Sequence, residues 1–326
     1  MDGHHRGDSV GTSRLIEQRE IECTGSSRLS PRSVPLLTSL ARTARIKQWS
    51  KNVLVLAAPG AAGVLTRSSA LLHCLAAVAI FCLVSTGTYF INDVVDFAAD
   101  RQHPEKRRRP IAAGAVNRRF ALLIGVTLLL TGTGLGVVVT WKLGVVLAIY
   151  VGIQIAYSLF LKTQPVLDLV AVASGFVLRA IAGAVAVGVS ASEWFLIVTT
   201  FASLLMVTGK RLAEHAVLGD ARGTHRPTLD LYSQTYLRSV LAISAAGAMV
   251  GYCLWAFSLQ TALDHHHDPV WYQLSIVPFL VALLRYTYLV DGENGGRPEE
   301  LVFADGPLLL LGLLWTVLFT VGIYVK

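Results

Sequence analysis

Four oxygen-bearing side chains stand together in the stretch NDVVDFAAD, residues 92–100, at the end of a long apolar run. On a helix advancing about 100° per residue, Asn92, Asp96, Asp100 and Asp93 fall at about 0°, 40°, 80° and 100°. One quadrant therefore carries an amide and three carboxylates. Carboxylates at a membrane boundary are costly without partners, and neighbouring like charges resist being ionised together. A divalent cation removes both penalties. Hard oxygen donors suit Mg2+, which keeps several waters and typically joins one or two carboxylates to substrate phosphates. Asp93, Asp96 and Asp100 are the candidate metal ligands and catalytic carboxylates, with Asn92 beside them. A solvated helix end capped by Asp would explain one such residue, but not four on one face.

The next stretch, RQHPEKRRRPIAAG at 101–114, supplies the opposite charge. Pro104 ends the helix, and Lys106, Arg107, Arg108 and Arg109 follow directly. A diphosphate needs both elements: a cation to bridge its oxygens and Arg or Lys to hold the remaining charge. A membrane anchor explains the basic run but not the acids next to it. A second polar stretch, GKRLAEH at 209–215, puts Lys210, Glu214 and Arg211 at about 0°, 40° and 100°, again on one face. It reads either as a phosphate clamp with an internal counter-ion or as an interfacial anchor. In YSLFLK, Tyr157 and Lys162 occupy a helix end and are residue types common at membrane interfaces. Asp168 and Arg179 are ionisable groups within one apolar span, about 20° apart in azimuth and about 16 Å apart along the axis. They are too distant to pair with each other, so each needs a partner on another helix or a polar cavity.

The elements that must position these groups are membrane helices. The chain of 326 residues is 53% hydrophobic and only 15% charged, where a soluble chain carries about a quarter charged residues. Apolar runs predict nine spans, at 52–66, 70–92, 120–140, 143–161, 165–187, 193–209, 239–258, 271–290 and 307–325. The first is short and carries Pro59 and several glycines. With the N-terminus inside, 24 of the 28 Lys and Arg fall in inner loops, leaving Arg67, Lys142 and Lys326 outside and Arg179 within a span. That asymmetry supports a cytoplasmic N-terminus. The net charge of +7 is thus first a topology signal, although basic loops also suit anionic lipid or a phosphorylated substrate. It carries no expectation of nucleic-acid binding. Residues 1–35 are polar, lack an apolar signal-peptide core and read as a disordered cytoplasmic tail, followed by one transmembrane domain over 36–326. Cys23, Cys74, Cys82 and Cys253 form no metal-type or disulfide pattern. His265, His266 and His267, between Asp264 and Asp268, read as a solvated outer loop rather than a metal site.

The motif N-D-x-x-D-x-x-x-D at Asn92, Asp93, Asp96 and Asp100 resembles that of the UbiA superfamily of intramembrane prenyltransferases. The similarity extends from about residue 43 onward through RIKQWSKNVLVLAAP, YFINDVVDFAADRQHPEKRRRPIAAG, LRAIAGAVA and GKRLAEH. The long acidic-to-basic block is its most specific part. The resemblance implies an all-α, polytopic nine-helix bundle in the plasma (inner) membrane, Mg2+ dependence, and an active site facing the cytoplasm. Typical members have a second acidic motif, resembling D-x-x-x-D, where this chain has Lys210, Arg211 and a lone Glu214. Two acidic clusters suit one diphosphate gripped from both sides. One acidic cluster plus separate cations suits a molecule with a diphosphate at one end and a monophosphate at the other, such as phosphoribosyl diphosphate.

The branch of the superfamily most similar to this chain moves 5-phosphoribose from phosphoribosyl diphosphate to decaprenyl (polyprenyl) phosphate for cell-wall arabinan. With that substrate pair the charge layout suggests that Lys106 and Arg109 draw off the leaving-group charge, that Lys162, Lys210 and Arg211 steer the monophosphates, and that Lys51 and Asn52 in QWSKN line the same mouth, with Arg107, Tyr157, Arg179 and Glu214 also in the substrate site. A homo-oligomer is compatible with this reading. Two other readings follow from the same residues. A prenyl transfer to an aromatic acceptor shares the acidic motif but wants the second Asp cluster. A transporter would use Asp168 and Arg179 as a path, against which the charges gather at one membrane face and no pair of inverted, broken helices stands out.

Overall fold

A computed structural model describes residues 35–218, 227–262, 270–292 and 304–324. Residues 1–34 of the tail expected over 1–35, with Cys23, and the His265–His267 loop lie outside these. The described residues are helical throughout: α1 (Leu36–Ala44), a 3-10 segment (Ile46–Leu56), α2 (Ala57–Ala61), α3 (Ser68–Val95), α4 (Phe97–Gln102), α5 (Arg118–Val139), α6 (Trp141–Leu159), α7 (Leu167–Val187), α8 (Glu193–Leu218), α9 (Gln234–Ala262), α10 (Val270–Asp291) and α11 (Gly306–Tyr324). Short 3-10 turns intervene at Lys106–Arg108, Leu161–Thr163 and Pro227–Leu231. Among the described residues, eight helices (α3 and α5–α11) are long and apolar enough to cross a membrane. Their outward faces carry residues such as Leu72, Leu130, Val138 and Leu310, 66–83% exposed, an apolar surface that only lipid covers at low cost.

Neighbours in sequence pack as neighbours in space: α3 on α5, α5 on α6, α6 on α7, α7 on α8, α8 on α9, and α10 on both α9 and α11. The tightest turn joins α5 to α6. Thr140 is extended and its hydroxyl caps the Leu143 N–H at 3.0 Å, so one residue ends one helix and starts the next. Gly136 and Gly144 permit that hairpin: a Cβ on Gly136 would stand 2.4 Å from Leu147 Cδ1.

The segment expected as the first span, 52–66, is not one apolar helix. Residues 46–56 form a 3-10 helix, followed by five residues of α2. At about 2.0 Å rise per residue, the eleven-residue 3-10 run covers about 22 Å. Arg45 at its start reaches Asp93, near the end of α3, whereas Val64 beyond it lies beside Ser69 at the opposite end of that helix. The segment is therefore a strut running from one end of the bundle to the other. Pro59 and the polar residues Gln48, Ser50, Lys51 and Asn52 are the sequence reason that it forms no long apolar helix. It wedges between α3 and α7. There α7 presents Ala180, Ala182, Gly183, Ala184 and Ala186, all small and buried. A Cβ on Gly183 would fall 1.7 Å from the Val55 carbonyl oxygen, so only glycine admits this backbone-to-helix contact.

Candidate active site

The last turns of α3 carry Asn92 and Asp93; Asp96 stands at a one-residue interruption of the helix, and Asp100 follows on α4. The i→i−4 bonds Asp96 N–H to Asn92 O and Asp100 N–H to Asp96 O, both 2.8 Å, carry the helical trace across the interruption. His103 then turns extended (φ −80°, ψ 134°), as the residue before Pro104 must. The 3-10 turn at 106–108 brings the chain back on itself. As a result one guanidinium nitrogen of Arg109 donates to both Asp93 (3.1 Å) and Asp100 (2.8 Å). Arg45 donates to the same Asp93 oxygen at 2.5 Å while its guanidinium lies over the Tyr89 ring. Lys162, on the turn after α6, pairs with Asp96. The Asn92 amide donates to the other Asp96 oxygen at 3.2 Å and accepts from the Ser158 hydroxyl at 3.0 Å.

The burial of these groups is graded. Asp93 and Asp100 are 2% and 3% exposed, whereas the side chains of Arg45, Arg109 and Lys162 are 28%, 27% and 26% exposed. Asp93 and Asp100 form an inner layer and the cations an outer one, with Asp96, 22% exposed, at the level of Lys162, so an arriving polyphosphate meets positive charge before it meets the two buried acids. Half-buried Lys106 and the exposed Arg107 and Arg108 continue that outer layer. The carboxylates do not close into a cage. Among the described residues no three His, Cys, Asp or Glu side chains converge as a metal site. The donor set nevertheless fits Mg2+ in the mode that takes one or two carboxylates from protein and the rest of its oxygens from substrate and water.

One of the expected phosphate-binding groups has other work. Arg211, 3% exposed, is held by Asp168 on α7 (Nε to Oδ2, 3.4 Å) and by Glu214 (3.0 Å). Asp168 is fully buried and also accepts from the Tyr232 hydroxyl at 2.5 Å and the Thr228 hydroxyl at 3.5 Å. Tyr232 in turn accepts from the N–H of Val166, whose φ of 68° is unusual for a β-branched residue. Burial, and then the bond to Asp168, push the Tyr232 phenol well above the ordinary tyrosine range, so it remains a donor. This is a satisfied, closed network that ties Arg211, Thr228 and Tyr232 to α7. The Arg211 charge is consumed inside it, and Lys210, half-buried, is the cation of that stretch nearer solvent.

Arg179 and Asn52 likewise differ from expectation. Asn52 does not line a mouth: it is fully buried, donating to Ser85 (3.3 Å) and Cys82 (3.2 Å) and accepting from Arg179 Nε at 2.8 Å. Arg179 completes its bonds with the Gly175 carbonyl (2.7 Å) and the Tyr150 hydroxyl (3.0 Å), amid the rings of Phe81, Tyr150 and Phe176. It lies about 16 Å along α7 from Asp168, deep in the bundle and away from the acidic end. Its contacts tie the strut to α6 and α7. Lys51, next to Asn52 on the strut, lies over Phe176 at 6.0 Å. Tyr157 is half-buried next to Ser158.

The geometry brings Asn92, Asp93, Asp96, Asp100, Arg109 and Lys162 together and leaves Arg179, Asn52 and Arg211 in separate buried networks. Sequence reasoning missed Arg45 and Ser158 in the first group and Tyr150, Thr228 and Tyr232 in the others. Arg45 hid among the nine Lys and Arg of residues 1–51. Its left-handed backbone (φ 50°), which aims it at Asp93, has no sequence signal. Ser158 sat in view beside Tyr157.

An all-helical membrane bundle with a carboxylate–amide cluster at one end is the architecture of intramembrane group transferases, and the comparisons agree. Residues 53–310 match the model of the UbiA prenyltransferase family, and the chain belongs to that family. The decaprenyl-phosphate phosphoribosyltransferase of Corynebacterium glutamicum is 40% identical over 295 residues, covering 89% of this chain and 88% of that protein. The enzyme of the same name from Mycolicibacterium smegmatis is 40% identical over 297 residues, 89% of this chain and 93% of that one. Among solved structures, a UbiA homologue from Archaeoglobus fulgidus bound to GPP and Mg2+ superimposes with a TM-score of 0.67. It is 17% identical, with 87% of this chain and 98% of that one covered, and it supports the fold.

Proposed function

We propose that this protein transfers 5-phosphoribose from phosphoribosyl diphosphate to decaprenyl (polyprenyl) phosphate, releasing diphosphate. The structural observation that carries this reading is the layered site: buried Asp93 and Asp100 bridged by Arg109, beneath an outer layer of cations. The two phosphoribosyltransferase relatives at 40% identity direct it to this substrate pair. Asp93 and Asp96, assisted by Asn92 and Asp100, would hold Mg2+. That ion, when bound, would neutralise diphosphate oxygens and make diphosphate a better leaving group.

The chain's own residues do the rest. Arg109, Arg45 and Lys106 take up negative charge as the C1–O bond to diphosphate breaks, where fixed dipoles and charges matter most. An oxygen of the prenyl phosphate forms the new bond to C1 from the opposite face. That phosphate is already ionised near neutral pH, so no general base is needed. Lys162 and Lys210 are the candidates for steering the monophosphates. The isoprenoid tail lies along the apolar bundle, which accounts for polar chemistry at a lipid boundary. The site faces the cytoplasm at the plasma membrane, and the product feeds cell-wall arabinan synthesis.

The test uses purified protein in detergent with Mg2+, labelled phosphoribosyl diphosphate and decaprenyl phosphate, followed by organic extraction and mass analysis. The expected result is a Mg2+-dependent lipid heavier by one phosphoribosyl unit. No such product, with turnover of a prenyl diphosphate and an aromatic acid instead, would overturn this reading in favour of ordinary prenyl transfer.

A further inference from the structure

The end of the bundle opposite the acidic site carries a cavity of about 580 Å³, lined by Arg67, Ser69, His73, Thr140, Trp141 and Lys142 together with the last turn of α7. Among the described residues no carboxylate lines it. Of the 28 Lys and Arg in the chain, the charge count leaves only Arg67, Lys142 and Lys326 on this side. Two of those three, 75 positions apart in sequence, meet in one cavity. Membrane proteins deplete this side of cations, so retaining two at one place calls for an anion. The backbone adds to the same field. α3 and α6 both begin at the cavity rim, and helix N-termini favour negative charge. No side chain caps the start of α3, so no side-chain acceptor there already meets its first N–H groups. His73 contributes a ring whose Nδ1 is committed to the Ser69 carbonyl at 2.7 Å, so that nitrogen carries the proton.

The surroundings distinguish a lipid from a soluble ion. Because α3 and α6 start here, the cavity lies at the level where the bundle leaves the hydrocarbon layer. Its flanks are apolar and outward-facing: Trp141 is 67% exposed, Val138 83% and Leu72 66%. A Trp at this level is the usual companion of lipid headgroups. A small anion would need the cations but not the apolar flanks, whereas a phospholipid needs both. We propose that this cavity binds the phosphate headgroup of an anionic membrane lipid, with the acyl chains laid against α3 and α5–α6.

The experiment reconstitutes the full chain in phosphatidylcholine nanodiscs containing a minor share of phosphatidylglycerol and reads the lipid retained after gentle release by native mass spectrometry. Wild type is expected to retain phosphatidylglycerol over phosphatidylcholine by about tenfold, the scale of one or two charge-assisted contacts. R67Q/K142Q should abolish that preference and R67K/K142R should keep it. Both residues are exposed and remote from the acidic site, so phosphoribosyl transfer serves as the folding control. If the double variant does not fold, K142Q alone is expected to lower the preference. Equal retention of the two lipids by wild type, or an unchanged preference in the Gln variants, would overturn the proposal. A parallel arm adds inorganic phosphate to protein in phosphatidylcholine alone. Thermal protection by phosphate that R67Q/K142Q removes, without any lipid preference, would assign the cavity to a soluble phosphate and refute the lipid reading.

Discussion

Replacing Asp93 with Asn separates chemistry from architecture at this site. The substitution keeps the shape and an acceptor oxygen but removes the charge on which Arg45 (2.5 Å) and Arg109 (3.1 Å) converge. Both arginines are more than a quarter exposed, so water takes over part of their solvation. Arg109 also keeps Asp100 at 2.8 Å. The structural cost is therefore that of weakening two partly exposed, charge-assisted bonds, about 1–3 kcal/mol. For a bundle of this size that lowers the unfolding midpoint by less than about 10 °C. The functional cost is larger, because the lost charge is the one that would draw Mg2+ and the leaving diphosphate to the buried layer. Removing one preorganised electrostatic group typically costs about 10²–10³ in rate. Asp93→Asn is expected to fall at least that far in phosphoribosyl transfer while eluting as a single species and melting near wild type. Activity within tenfold of wild type in a well-folded variant would refute the role given to this carboxylate. Loss of folded protein with full activity in the surviving fraction would make Asp93 a structural residue only.

Three further outcomes follow from other parts of the molecule. Gly183→Ala would set a methyl 1.7 Å from the Val55 carbonyl oxygen; the forced shift of the strut should cost about 1–3 kcal/mol and lower activity as well, because the strut carries Arg45, and a variant with wild-type melting and turnover would contradict the packing. Asp168→Ala strips Arg211 and Tyr232 of their shared acceptor and should destabilise by about 3–5 kcal/mol, measured by thermal unfolding, with turnover per folded molecule largely kept; selective loss of substrate affinity at unchanged stability would return Arg211 to the substrate site. Between α10 and α11, the Arg285 hydrogen bonds hold the Asp305 carboxyl below its usual range. A depressed carboxylate contributes stability above its unfolded-state pKa and loses it as pH falls through the folded value, so Asp305→Asn should make stability less steeply dependent on acid, and an unchanged acid profile would remove that pair from the account.

How far the sequence could be read depends on which interactions are local. The acidic quadrant is legible because Asn92, Asp93, Asp96 and Asp100 share a face by helical spacing alone, and the long apolar helices because lipid demands continuous hydrophobicity. Pro104 likewise announces the turn that returns Arg109. What the sequence does not show is where Arg179 and Arg211 point, whereas Lys162 does meet the acidic cluster at Asp96. Lys210 and Arg211 are adjacent in sequence, yet one lies near solvent and the other is enclosed by Asp168, 43 residues earlier, and by Glu214. For Arg179 the sequence leaves a substrate contact and a structural partner on another helix both open, because a charge within a span demands one or the other. In the bundle it is a strut fastener, satisfied by Asn52, Tyr150 and a carbonyl. Pro59 and the polar residues hint that 46–61 is no ordinary span, but its packing is not legible, because the close contact that seats Val55 is made with Gly183 on another helix, more than a hundred residues away. A substitution at Gly183 should thus be felt at Asp93 through Arg45, although none of the intervening sequence joins them.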